Sequence, residues 1–258
     1  MRTYRAVTTC SAAGWVQYGR KMVETFIDFW PDEIGLLLYV EGFEVPPEIL
    51  ASGRVSVRGL PEWQREFVVR HLANLPAHGR RVGGGYNYKF DAVRFSYKTG
   101  AVIDAASYPM SDVLIWLDAD SLTHAPVPLS FIKSLLPPES EMAWLDRATM
   151  YPECGFYMLD LRSSRIQNLV QTWKGLYTSD RVFTMEEWHD SHVLMVLVQR
   201  AGLRTASLSG EARTHSHPLI NGPLGAYMDH LKGPRKELGK SRPGDLRKQR
   251  EEDYWRGR

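Results

Sequence analysis

The sequence predicts an α/β protein with a mainly parallel central sheet, and three observations carry that expectation. Apolar runs of strand length alternate with segments whose apolar residues recur at helical spacing, the signature of strand–helix–strand crossovers. Two runs, Ile34 to Val40 and Val113 to Leu117, are almost wholly apolar and read as buried strands. A length of 258 residues, 43% hydrophobic and 24% charged, is enough for one well-filled core of an ordinary globular kind.

Tyr4 to Cys10 is expected to form the first strand, with a turn at Ser11-Ala12-Ala13-Gly14. Met22, Val23, Phe26, Ile27 and Trp30 then share a helical face that Pro31 ends. Ile34 to Val40 follows as a strand, and Val55 with Val57 marks another short one. Trp63, Phe67, Val68, His71, Leu72 and Leu75 outline an amphipathic helix ending near Pro76. Gly83-Gly84-Gly85 is a turn, because it has neither the Gly-Lys-Ser/Thr ending of a phosphate loop nor G-x-G-x-x-G spacing. Phe90, Val93 and Tyr97 form the stripe of the next helix, which leads to the Val113–Leu117 strand.

Beyond that strand, Phe131 to Leu136 is a short helix closed by Pro137-Pro138, and Met142 to Leu145 and Phe156 to Leu161 are strands. Val170, Trp173, Leu176 and Tyr177 mark one helix. Trp188, His192, Met195, Val196 and Gln199 mark another, with Asp190 and Ser191 near its start. Ala206 to Met228 is rich in Gly, Pro and His without periodicity, as expected of a loop folding across a site. From Glu237 the chain is strongly charged and nearly free of aliphatic residues. The expected organisation is one domain over 1–236 and a charged extension over 237–258.

Composition removes several functional classes. A formal net charge of +2 gives no bulk attraction to nucleic acid. Two cysteines, Cys10 and Cys154, are too few for a disulfide framework. Met1-Arg2-Thr3-Tyr4-Arg5 lacks the apolar region of a signal peptide, and no apolar stretch is long enough to span a bilayer. A cytoplasmic protein is expected.

The chemistry concentrates at Asp118-Ala119-Asp120, directly after the Val113–Leu117 strand. Side chains of a regular strand alternate faces, so both acids reach one ion only if the strand breaks there. Two carboxylates at a strand end make a hard oxygen site suited to Mg²⁺ or Mn²⁺, which completes its shell with water and substrate phosphate. Far downstream, His230-Leu231-Lys232-Gly233-Pro234-Arg235-Lys236 has the pattern His-x-x-Gly-x-x-Lys. It offers an imidazole as a further ligand, a glycine where backbone approaches ligand, and a cation for phosphate charge.

Together these two motifs resemble those of the glycogenin-like and lipopolysaccharide-galactosyltransferase-like nucleotide-sugar glycosyltransferases, which have the GT-A fold. The resemblance runs in order over most of the chain, and it is tight only at these motifs. It implies Asp118, Asp120 and His230 as ligands of Mn²⁺ or Mg²⁺, with Asp118 bound alternatively to ribose. It also implies Lys236 as a diphosphate contact, with Gly233 in the same donor-binding turn. The family usually has Pro-Trp after the lysine, whereas Glu237-Leu238 stand here, which leaves the subgroup and the stereochemistry at the sugar open.

Other candidates surround this frame. Thr8, Thr9 and Glu41, near the ends of early strands, are candidates for the nucleotide base, since ligands of open α/β sheets bind beyond the carboxyl ends of strands. Arg94 and Lys98, spaced i, i+4, present two cations to a diphosphate or else form a solvated face with Asp91. By resemblance, Asp190 lies on the acceptor side of the sugar, although Ser191 replaces the usual Gln; a helix N-cap explains it equally. Glu153, before Cys154-Gly155, matches a turn that lines the donor-sugar pocket in the family, and a loop acid is its plainer explanation.

The expected activity is metal-dependent transfer of a sugar from a nucleoside-diphosphate sugar to a hydroxyl of an unidentified acceptor: glycan, lipid-linked sugar, protein or small molecule. Two rivals stand beside it. Asp118 and Asp120 also fit the nucleophile and acid of a haloacid-dehalogenase-type phosphatase, but the pair is mid-chain and Leu122 stands where Thr or Val is usual. A non-catalytic sugar- or nucleotide-binding domain of the same fold is the other.

Overall fold

Nine strands and five longer helices build the structure, a computed structural model that describes residues 2–81, 83–108, 110–215, 217–233 and 235–247. The strands are β1 (Tyr4–Ser11), β2 (Gly35–Glu41), β3 (Val55–Gly59), β4 (Val113–Leu117), β5 (Ser121–Thr123), β6 (Met142–Leu145), β7 (Glu153–Asp160), β8 (Thr205–Ser207) and β9 (Met228–His230). The longer helices are α1 (Arg20–Phe29), α2 (Glu62–Arg70), α3 (Ala92–Ser107), α4 (Ser164–Thr178) and α5 (Asp190–Ala201). Seven strands form one sheet in the order β3-β2-β1-β4-β7-β6-β8. β3, β2, β1 and β4 run parallel, β7 is antiparallel to both β4 and β6, and β8 is parallel to β6. β5 and β9 form a separate antiparallel ribbon.

Alternation along the strands divides the core into two layers. Ala6, Leu36, Leu38 and Ile115 pack with Met22 and Phe26 of α1 on one side. Val7, Leu37, Tyr39, Leu114 and Trp116 pack with α3, α4 and α5 on the other. This double cover explains why β2 and β4 read as continuous apolar runs. Among the described residues, no helix is long and apolar enough to cross a membrane.

Three local expectations are corrected. Ser11–Gly14 is the start of a helical run, where Ser11 Oγ accepts from Gly14 N at 3.1 Å and a π-helical turn over Trp15–Gly19 leads into α1. The predicted helix to Leu75 ends at Arg70; Leu72 and Leu75 are 71% and 51% exposed. The chain has already turned at His71, and Pro76 cannot donate to a continued helix. Ala206 to Met228 is not an open loop but a string of short elements: β8, a 3₁₀ turn at Gly210–Thr214, a helix at Pro218–Asn221, a 3₁₀ turn at Pro223–Ala226, and β9.

Leu208, Leu219, Ile220, Leu224 and Met228 of that segment are buried in the same core layer as Ala6. Gly222 and Gly225 serve close packing there, because a Cβ at either would collide with backbone of residues 208–220. After Lys236 the chain still packs on the domain. Ser241 Oγ donates to Asp229 at 2.9 Å, and Arg247 N donates to Asn221 Oδ1 at 2.6 Å. The remainder of the expected charged extension, 248–258, lies outside the described residues.

Candidate active site

β4 ends at Leu117, and the next residues turn sharply, with Ser121 N donating to Asp118 O at 2.9 Å. Asp118, Ala119 and Asp120 therefore occupy the break between β4 and β5, which frees both acids from strand alternation. The β5–β9 ribbon then supplies the histidine. Ser121 pairs with His230, and Leu231 N donates to Asp120 O at 2.8 Å, so two segments 110 residues apart in sequence are locked in register.

His230 is 2% exposed, and its two ring nitrogens face different acids. Nε2 lies 3.0 Å from Asp120 Oδ1 and 3.4 Å from Asp118 Oδ2, while Nδ1 lies 2.8 Å from Glu153 Oε1. One ligand atom from each of Asp118, Asp120 and His230 falls within 4.8 Å of the others. A set of two carboxylates and an imidazole this close together fits Mn²⁺ or Mg²⁺. Burial and Lys232 oppose charge on the imidazole, but the acids outweigh them and pull its pKa up to about 10. Burial would raise Asp118 and Asp120, yet Lys98 and His230 hold the first well below the carboxylate range, and His230 with Lys236 lowers the second.

Lys98 occupies the floor. It is 7% exposed, so the solvated-face alternative fails for it. Its ammonium donates to Asp118 Oδ1 at 2.9 Å, to Asp190 Oδ2 at 2.7 Å and to the Cys154 carbonyl, and lies 4.9 Å from the centre of the Trp116 ring. Burial disfavours this charge, but Asp118 and Asp190 outweigh the penalty and keep the pKa well above its ordinary value. Asp190 is the first residue of α5; the N-cap is His189, and Asp190 Oδ1 accepts from Ser191 N at 2.8 Å. Lys236 reaches Asp120 Oδ2 at 3.0 Å, its ammonium 4.1 Å from the centre of the Tyr18 ring.

These groups open onto a cleft of about 560 Å³, which Thr9, Glu41, Arg94, Lys98, Asp118, Asp120, Asp190 and Lys236 all line. Glu41 sits at the end of β2, where Thr9 Oγ1 donates to its Oε1 at 3.0 Å. Burial pushes the Glu41 carboxyl up to about 7, against the smaller opposing effect of that hydrogen bond. Arg94 is exposed at the rim and donates to the Tyr86 hydroxyl at 3.1 Å.

Four candidates do not line the cleft: the buried His230, and Thr8, Gly233 and Glu153. Thr8 is fully buried in β1, because its neighbour Thr9 takes the cleft-facing position. Gly233 is an exposed turn residue with φ +57°, where a side chain would be strained. Glu153 belongs to β7, not to a loop, and lies 2% exposed behind His230. Neither thiol is poised for reaction, since burial pushes both Cys10 and Cys154 up to about 12.

Sequence reasoning missed several partners. Trp116 Nε1 donates to Asp118 Oδ1 at 2.7 Å, a contact that i, i+2 spacing along a strand makes legible in retrospect. Lys232 Nζ lies 3.0 Å from Glu153 Oε1. Tyr18, beneath Lys236, carries no signal in sequence. Gly155 is the least predictable: a Cβ there would lie 2.5 Å from His230 Cε1.

No protein-family model matches the chain, and no curated protein matches it. Solved structures do. The chain is similar to the galactosyltransferase LgtC in complex with donor and acceptor sugar analogs, with a TM-score of 0.51, 14% identity, and coverage of 89% of this chain and 87% of that one. It is similar to the glycosyltransferase GlyE of Streptococcus pneumoniae TIGR4, with a TM-score of 0.50 and 10% identity over 82% of this chain. It spans 46% of the GlyE chain. At these identities the likeness is one of architecture: the chain has the GT-A fold, and the mainly parallel α/β sheet expected from the sequence is borne out.

Proposed function

We propose that this chain is a metal-dependent glycosyltransferase that moves a sugar from a nucleoside diphosphate to an acceptor hydroxyl. One observation carries the reading: Asp118, Asp120 and His230 converge beside Lys236 at the wall of a cleft large enough for a nucleotide sugar, on the GT-A sheet. Asp118, Asp120 and His230 would hold Mn²⁺ or Mg²⁺. Such an ion supplies Lewis-acid stabilisation of the diphosphate charge that grows as the glycosidic bond breaks.

The chain's own groups do the remaining work. Lys236, between Asp120 and the cleft, adds a cation for the leaving diphosphate. Lys98 fixes Asp118 and Asp190 in one hydrogen-bonded line, so the ligand acid and the sugar-side acid are pre-organised together. Asp190, with one oxygen on Lys98 and the other on Ser191 N, is built to orient hydroxyls of the sugar or acceptor. Thr9 and Glu41, farther along the cleft on β1 and β2, face the space for the base. The phosphatase reading asks Asp118 to be a free nucleophile, and three donors already hold its carboxylate.

Calorimetric titration with nucleoside diphosphates, with and without Mn²⁺, tests this reading. Binding that appears or tightens at least about tenfold with Mn²⁺ is expected. Equal binding after chelation would contradict the metal assignment.

A further inference from the structure

We propose that Glu153 is a positioning residue for the metal-site histidine: it accepts the Nδ1–H of His230 and thereby holds Nε2 toward Asp118 and Asp120. The inference rests on the metal-site reading above, but it assigns Glu153 a different task from the donor-sugar contact that the resemblance implies. Glu153 does not line the cleft. Its Oε1 sits 2.8 Å from His230 Nδ1, and its Oε2 accepts from Leu219 N at 3.3 Å, so the carboxylate is itself anchored.

Glu153 lies where the β6–β7 register shifts: β6 pairs Trp144 with Tyr157 but Leu145 with Glu153. Gly155 completes the seat, because any Cβ there would strike the ring at Nδ1, 2.6 Å away, and at Cε1. Glu153 and Gly155 thus both bound the imidazole on its Nδ1 side, leaving Nε2 as the nitrogen presented to the two aspartates. A carboxylate behind a ligating histidine holds the ring in its orientation, and its loss typically costs about 10- to 100-fold in metal affinity. Lys232, at 3.0 Å, offsets the buried negative charge from the solvent side.

Two readouts test the role. Long-range ¹H–¹⁵N correlation spectra of the metal-free protein should show a slowly exchanging Nδ1–H on His230. Glu153→Gln, whose amide oxygen can still accept, should retain that signal and bind Mn²⁺ within several-fold of wild type by electron paramagnetic resonance titration. Glu153→Ala should lose the signal and bind Mn²⁺ about 10- to 100-fold more weakly. A wild-type spectrum without an Nδ1–H would overturn the proposal by itself, even if Glu153→Ala fails to fold. So would a folded Glu153→Ala protein that keeps wild-type Mn²⁺ affinity. Failure of the wild-type protein to bind Mn²⁺ at all, with the Nδ1–H present, would instead count against the metal reading.

Discussion

Asp120 lines the cleft and its carboxylate pairs with His230 and Lys236, so its removal should act on binding more than on folding. Asp120→Ala is expected to weaken Mn²⁺-dependent nucleotide binding by at least about 100-fold, beyond the usual loss of an outer partner. The melting temperature should stay near that of wild type, and unchanged Mn²⁺-dependent affinity would sink the assignment. Lys236→Ala should lower kcat by on the order of 10²-fold, since its charge matters most as the diphosphate leaves. Arg94→Ala should cost less, because Arg94 is exposed at the rim and bonded to Tyr86. Steady-state rates of the two variants, side by side, check the ranking.

Glu41 gives a pH signature of its own. Its carboxyl is raised from 4.5 to about 7 in the folded protein, chiefly by burial. The protonated form is therefore favoured by folding, and that relative stability is complete below pH 4.5 and lost as pH rises through about 7. Glu41→Gln cannot ionise, so its melting temperature relative to wild type should climb between pH 4.5 and 7 and then level off. A difference that does not vary across that window would contradict the burial account.

At the scale of elements, the β5–β9 ribbon and the start of β7 decide whether the site forms. Gly155→Ala must displace the His230 ring or the β7 backbone, an overpacking cost of about 1–3 kcal/mol. Thermal denaturation should show that loss together with weakened metal binding, and a neutral Gly155→Ala would mean the ring is not seated as described. This element-scale level is also where the sequence is least legible. Asp118, Asp120, His230 and Lys236 stand out because their types and spacings are specific. The ribbon strands are only three residues each, too short for any period to show. Glu153 reads as a loop acid because its partner is a histidine 77 residues away. The sequence leaves Lys98 open between a diphosphate cation and a solvated face because its partners, Asp118 and Asp190, come from other elements.

For the whole molecule, the double-sided sheet was readable because long buried strands and amphipathic helices leave periodic traces. The closing segment from Ala206 to Met228 was not, since its short turns are held by core packing and close glycine contacts, not by local propensity. Its burial has a structural consequence: β9 brings His230 to Asp118 and Asp120 as part of the packed domain. The most direct test of the central claim is a turnover assay across a panel of nucleoside-diphosphate sugars and candidate hydroxyl acceptors, with products identified by mass. The account predicts nucleoside diphosphate and glycoside formed in equal amounts with Mn²⁺, both abolished by chelation and by Asp120→Ala. Transfer that proceeds equally well in the chelated protein or in Asp120→Ala would contradict it.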